Sequence, residues 1–297
     1  MPGGPGKGFD HADTVTAPQG DRVYVAHTAM DALDVIDCRS NAYLRSIGEL
    51  PGVAGVLVDS GHDLLVTSDR GAARVSLFRA SDERLIARVG VGPRPNGLAY
   101  DTKRRRVFAF NLGEPPGTDC TASVVDVATA AVVRTLPLPG RPRWALYDPA
   151  SDSVFANIQD PAVIVRIDAG SLEERGRIDV GCAGPHGLAL MGGRLFCAAD
   201  GGEVVVVDDP AGRPTIAARL PLRGVPDVAW HAAVAPLLYV AIGTPGIVTV
   251  IDTERLAEAE TVDTEAGAHT LGWDAATRRL YVFAPASGTA LVYEERS

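Results

Sequence analysis

Four residues of this chain pair reactive side chains with a repeated local context. Asp13, His186, Asp227 and His269 each stand just inside a turn that runs into a short apolar stretch, as in Gly184-Pro185-His186-Gly187-Leu188-Ala189-Leu190. Two imidazoles and two carboxylates form a donor set suited to Zn²⁺, Mn²⁺ or Fe²⁺. Such an ion would polarise a substrate oxygen or lower the pKa of a bound water. Any His or Asp left outside the coordination sphere could serve as general base. The chemistry implied is hydrolysis, elimination or isomerisation of a small molecule, with no organic cofactor.

These residues can meet only if the chain is a repeat. The position they occupy recurs as Asp13, Ala54, Asn96, Arg143, His186, Asp227 and His269, at spacings of 41 to 47 residues. A fixed period near forty signals a repeat architecture. Each copy is followed by a second apolar strand, such as Val23-Tyr24-Val25-Ala26, Leu195-Phe196-Cys197-Ala198 or Leu280-Tyr281-Val282-Phe283. A third strand commonly ends in Asp, at Asp37, Asp126, Asp168, Asp208 and Asp252, and these are read as turn-formers that bond their own backbone. A fourth leads to the next turn. Four short strands per unit and seven units give an all-β fold, a seven-bladed β-propeller of four-stranded antiparallel blades.

The Val-Tyr-Val-Ala strand, the Val-Ile-Asp strand and the Gly/Pro turn resemble the YVTN-repeat β-propellers, over nearly all of residues 12 to 294. The resemblance implies the fold and leaves the activity open, because one scaffold hosts many functions. The Pro185-His186-Gly187 turn also resembles the repeats of streptogramin lyase-like propellers, which are seven-bladed and metal-assisted. The second strands lack the Trp-Phe-Thr-Glu pattern of those enzymes, so no site residue carries over.

In an up-and-down blade the seven register residues fall around one mouth of the central channel. Blades five, six, seven and one would then present His186, Asp227, His269 and Asp13 side by side as metal ligands. His186, His269, Asp227 and Arg143 are the candidate catalytic groups. Arg143 and Asn96 lie across the channel, where a guanidinium suits a carboxylate or phosphate. His11 and Asn157 are further candidate substrate contacts on the rim, which also includes His27, Asp69, Asn111, Cys182 and Asp200. His62 and His231 fall at the opposite face, and Trp144, Trp230 and Trp273 lie on first strands, facing the channel. The competing reading is a polar, hydrated mouth without chemistry, in a propeller that binds a partner or acts as a scaffold.

A hydrophobic fraction of 46% suits one large core, and no run of residues has the length of a membrane span. A net charge of −9 disfavours nucleic acid, whose binding needs clustered Lys and Arg. The one basic run, Lys103 to Arg106, reads as a solvated turn. Cys38, Cys120, Cys182 and Cys197 are scattered without a disulfide spacing, which fits a reducing cytoplasm. Cys182, four residues before His186, also invites a nucleophile reading. Residues 1–11 lack an apolar segment and are expected to form a flexible head, with a single propeller domain over residues 12–297. Blade seven ends after its third strand, and Met1 to Phe9, rich in Gly and Pro, is a poor candidate to complete it. Blade three carries an insertion, Asn111 to Asp119, that can overhang a site.

Overall fold

The computed structural model describes residues 1, 8–16, 20–232 and 235–295. Six blades have four antiparallel strands in sequence order, and the seventh has three, Thr270–Asp274, Arg279–Ala284 and Thr289–Glu294. The first strands are Ala12–Val15, Val53–Asp59, Pro95–Asp101, Pro142–Asp148, Pro185–Met191, Ala229–His231 and Thr270–Asp274. Each contacts the first strand of the next blade, and blade seven contacts blade one, so the ring is closed. No helix among the described residues is long and apolar enough to cross a membrane. The expectation about Met1 to Phe9 falls mostly on residues 2–7, outside the described residues.

The burial pattern explains the sequence pattern. Second strands have neighbours on both edges and lie between adjacent blades on both faces, so they read as continuous apolar runs, and Leu195 to Ala199 is fully buried. Outer strands face solvent and carry the charge, as in Glu173–Asp179. The terminal Asp of the third strand closes the following turn. Asp37, Asp126, Asp168 and Asp252 accept the backbone N–H of Ser40, Thr129, Ser171 and Arg255, at 2.7 to 2.9 Å. Asp208 departs from this: it pairs with Arg194, and Asp209 takes the turn N–H groups of Gly212 and Arg213 instead.

Glycine at the entry of three first strands has a packing cause. A Cβ on Gly55, Gly97 or Gly187 would lie 2.2 Å from Asn96 O, 2.3 Å from Arg143 O and 2.6 Å from Asp227 O. Each glycine lets the first strand of the next blade approach, and that strand carries a register residue of the channel mouth. The glycine at the third place of these first strands is therefore a spacing device for the site.

Candidate functional site at the channel mouth

Among the described residues two cavities open along the channel, with His11 and Trp144 lining both. Their rings pack at a centroid distance of 4.3 Å. Burial depresses the His11 pKa below the usual value, against the opposing pull of Asp10, so the partition is a neutral imidazole against an indole.

The upper cavity, about 190 Å³, is lined by Asn96, Arg143, His186, Asp227 and His269, and by Asp10, Arg70, Arg94 and Arg141. His186 Nδ1 lies 2.9 Å from Asp200 Oδ1, and its Nε2 lies 3.1 Å from Asp227 Oδ1. Burial alone would lower the His186 pKa, but the two carboxylate hydrogen bonds together outweigh it and lift it to about 9. Burial likewise pushes the Asp200 and Asp227 carboxyls up, and the His186 hydrogen bond and charge hold both below the usual range. At neutral pH the three groups are an imidazolium between two carboxylates.

His269 is fixed differently. Its Nδ1 lies 2.7 Å from Gly267 O and its Nε2 lies 3.0 Å from Phe9 O. Both ring nitrogens of both histidines thus face oxygen atoms of the protein. A metal ligand needs a free nitrogen lone pair, and among the described residues no three His, Cys, Asp or Glu side chains converge as a metal-holding group. As placed, the two imidazoles read as metal ligands are both engaged by oxygen atoms of the protein.

Asp13 is absent from the upper mouth. Asp10 N–H donates to Ala26 O at 3.0 Å, just as Asp227 N–H donates to Ala241 O at 3.0 Å, and Ala26 and Ala241 both close the repeated second-strand tetrapeptide. Asp10 is therefore the blade-one member of the ring. Asp13, opposite Tyr24 as Trp230 is opposite Tyr239, lies three residues deeper and lines the lower cavity. Phe9 and His11 are buried, and Phe9 packs on His27 and Phe283.

Other rim expectations also resolve into structure. Asn157 is fully buried, and its amide donates to His186 O and Gly187 O at 2.9 and 3.0 Å, so it positions His186 and cannot touch a ligand. His27 is buried against Asp34, and Asp69 is buried among Thr67, Arg74 and Ser76. Trp273 stacks on Tyr239 between blades six and seven, away from the channel. The Cys182 thiol is pushed up to about 11 by burial and by Glu203, the reverse of an activated nucleophile. Arg104 of the basic run bridges Asp101 and Asp152 at 3.0 and 2.7 Å.

Three residues that the register argument missed dominate the mouth: Arg70, Arg94 and Arg141. Arg94 and Arg141 stand two places before Asn96 and Arg143, so a second tier at a fixed offset was present in the sequence. Arg70 Nη2 lies 2.9 Å from Asp10 Oδ2 and 2.5 Å from Asn96 Oδ1. Arg141 and Arg143 have no carboxylate partner among the described residues, and the Nε atoms of all four arginines are buried without an acceptor. Burial, then the charge of Arg141, depresses the Arg143 pKa. Arg94 adopts a left-handed φ of 55°, where a non-glycine residue costs about 1 kcal/mol or more. The blade-three insertion overhangs this cavity through Leu112 and Pro116.

No family model matches the chain, and no curated protein does. Among solved structures, a chain of Kuenenia stuttgartiensis hydrazine synthase is similar at a TM-score of 0.84 and 15% identity, covering 99% of this chain and 96% of that one. A chain of a mitotic checkpoint complex is similar at 0.82 and 11%, covering 99% and 90%. A functionally unknown protein from Desulfotomaculum acetoxidans DSM 771 is similar at 0.77 and 10%, covering 92% and 99%. At such identities the likeness is one of fold. The chain is a seven-bladed β-propeller.

Proposed function

We propose that the protein binds a small anion, of the carboxylate or phosphate class, at the arginine-lined mouth of its channel. One observation carries this reading: four guanidinium groups surround one cavity and, among the described residues, their buried Nε atoms lack acceptors and two of them lack any carboxylate partner. Buried positive charge in excess of the carboxylates that pair with it is costly, and an oxyanion would supply both charge and acceptors. The cavity holds roughly six water volumes, which suits a compact ligand. Calorimetric titration with phosphate, citrate and malonate tests the reading. Binding of at least one, lost in the Arg141→Ala, Arg143→Ala double variant, supports it. Absence of binding by all three at millimolar concentration, with unchanged thermal stability, refutes it.

A second, catalytic reading is favoured by His186. Its Nε2 proton would have to leave Asp227 Oδ1, 3.1 Å away, to reach a bound substrate, as acid-assisted elimination or isomerisation requires. No metal step enters this reading. The repeat signature supports membership of the YVTN-repeat propellers. The free cysteines support a reducing compartment such as the cytoplasm.

A further inference from the structure

The lower cavity has the opposite character. It measures about 390 Å³, within the range of small-molecule sites. Its walls are the rings of Trp144, Trp230, Tyr100 and Tyr147 with five leucines, and among the described residues no Lys or Arg lines it. Trp144 and Trp230 meet edge to face at 6.3 Å and make an aromatic corner. The acidic groups are Asp13 and Asp59. Asp13 is half-buried; its Oδ1 accepts Thr14 N–H and its Oδ2 accepts Val58 N–H, each at 2.7 Å. An ionised carboxylate has about four acceptor sites, so two remain. Asp59 takes the backbone N–H of His62 at 2.7 Å and the His62 ring at 2.9 Å, both through Oδ1.

We propose that this chamber is a second binding site, for a small organic amine with an apolar body. The ammonium pairs with the Asp13 carboxylate, and the body packs on the Trp144 and Trp230 rings and the leucines. Aromatic faces and carboxylates both attract a cation, and apolar walls strengthen both effects by excluding water. The state of Asp13 agrees: burial first, then Asp59, pushes its carboxyl up to about 7. A bound cation would reverse that push. The groups facing it are Asp59 with His62 behind, His11 at the partition and His231 at the rim.

Phenethylamine, 2-phenylethanol and 3-phenylpropionate share one apolar body and differ in charge. Titrated into the intact protein, the amine is expected to bind at least tenfold more tightly than the alcohol and to change the tryptophan fluorescence. The acid is expected to bind most weakly. Asp13→Asn should remove the preference for the amine and leave the alcohol unaffected. Should Asp13→Asn fail to fold, the unmodified protein gives the same answer through pH. Amine affinity should rise as pH rises through 7 and Asp13 ionises, whereas alcohol affinity stays flat. Equal affinity for amine and alcohol, a preference for the acid, a flat amine profile or no binding at millimolar concentration overturns the proposal.

Discussion

The two ends of the channel differ in charge, polarity and size, although the same inner strands build both. The upper mouth is narrow, polar and ringed by four arginines; the lower chamber is twice as large, aromatic and acidic. The change of character occurs within single strands. Blade four presents Arg143 above and Leu146 and Tyr147 below, with Trp144 at the junction, and blade six presents Asp227 above and Trp230 below. Three residues of strand advance about 10 Å along the channel, enough to move a side chain from one environment to the other. Opposite electrostatic preferences can therefore be held on one rigid scaffold, with His11 and Trp144 between them.

The strongest perturbation of this contrast is to the spacing of the strands. Gly97→Val would drive a Cβ to 2.3 Å from Arg143 O, and overpacking of this kind costs about 2–3 kcal/mol. Thermal unfolding should fall by several degrees and anion binding should be lost. Gly90→Ala, where nothing lies within 4 Å, should leave both unchanged. Equal effects of the two changes would break the link between the third-place glycine and the site.

Next in size is the charge of the upper end. Arg143→Met keeps most of the side-chain volume and removes the guanidinium, and should weaken anion binding about tenfold or more. Binding at the lower chamber should be untouched. Loss at both ends would mean that the two cavities act as one site.

An effect at both ends is expected from pH. The His186 pKa is raised in the folded state, from 6.5 to about 9, so its stabilising contribution is fully present below pH 6.5 and is lost as pH rises through 9. Asp13 is a carboxyl whose pKa is also raised, from 3.8 to about 7; its folded-state penalty is absent below pH 3.8 and complete above pH 7. Denaturant midpoints should therefore decline across both windows. His186→Gln should flatten the upper window alone, and Asp13→Asn the lower alone. A variant that flattens both would show that the two groups titrate together. The smallest effect is at Cys182, whose thiol at about 11 should react slowly with iodoacetamide at pH 8, and Cys182→Ser should leave anion binding intact.

Much of this molecule could be read along the chain. The seven-fold period, the doubly buried second strands and the three-stranded last blade all follow from local patterns of apolar residues and turns. So does the convergence of Asn96, Arg143, His186, Asp227 and His269 on one cavity, because a propeller turns a sequence period into a circle. Blade one was misplaced because Asp10-His11-Ala12-Asp13 offers an Asp at either end, and only the hydrogen bond from Asp10 to Ala26 O decides between them. Arg94 and Arg141 stood at a readable offset, whereas Arg70 comes from the loop after a second strand and could not be ranked by periodicity.

The sequence by itself determined the ring, the face on which polar register residues gather, and the glycines that let neighbouring strands close. Tertiary structure decided what those residues do. His186 and His269 have every ring nitrogen engaged, Asn157 braces a strand, and four arginines outnumber the carboxylates that pair with them. Side-chain partnership depends on atoms from blades forty or more residues apart, and a one-dimensional pattern fixes the register of those blades without fixing which donor meets which acceptor.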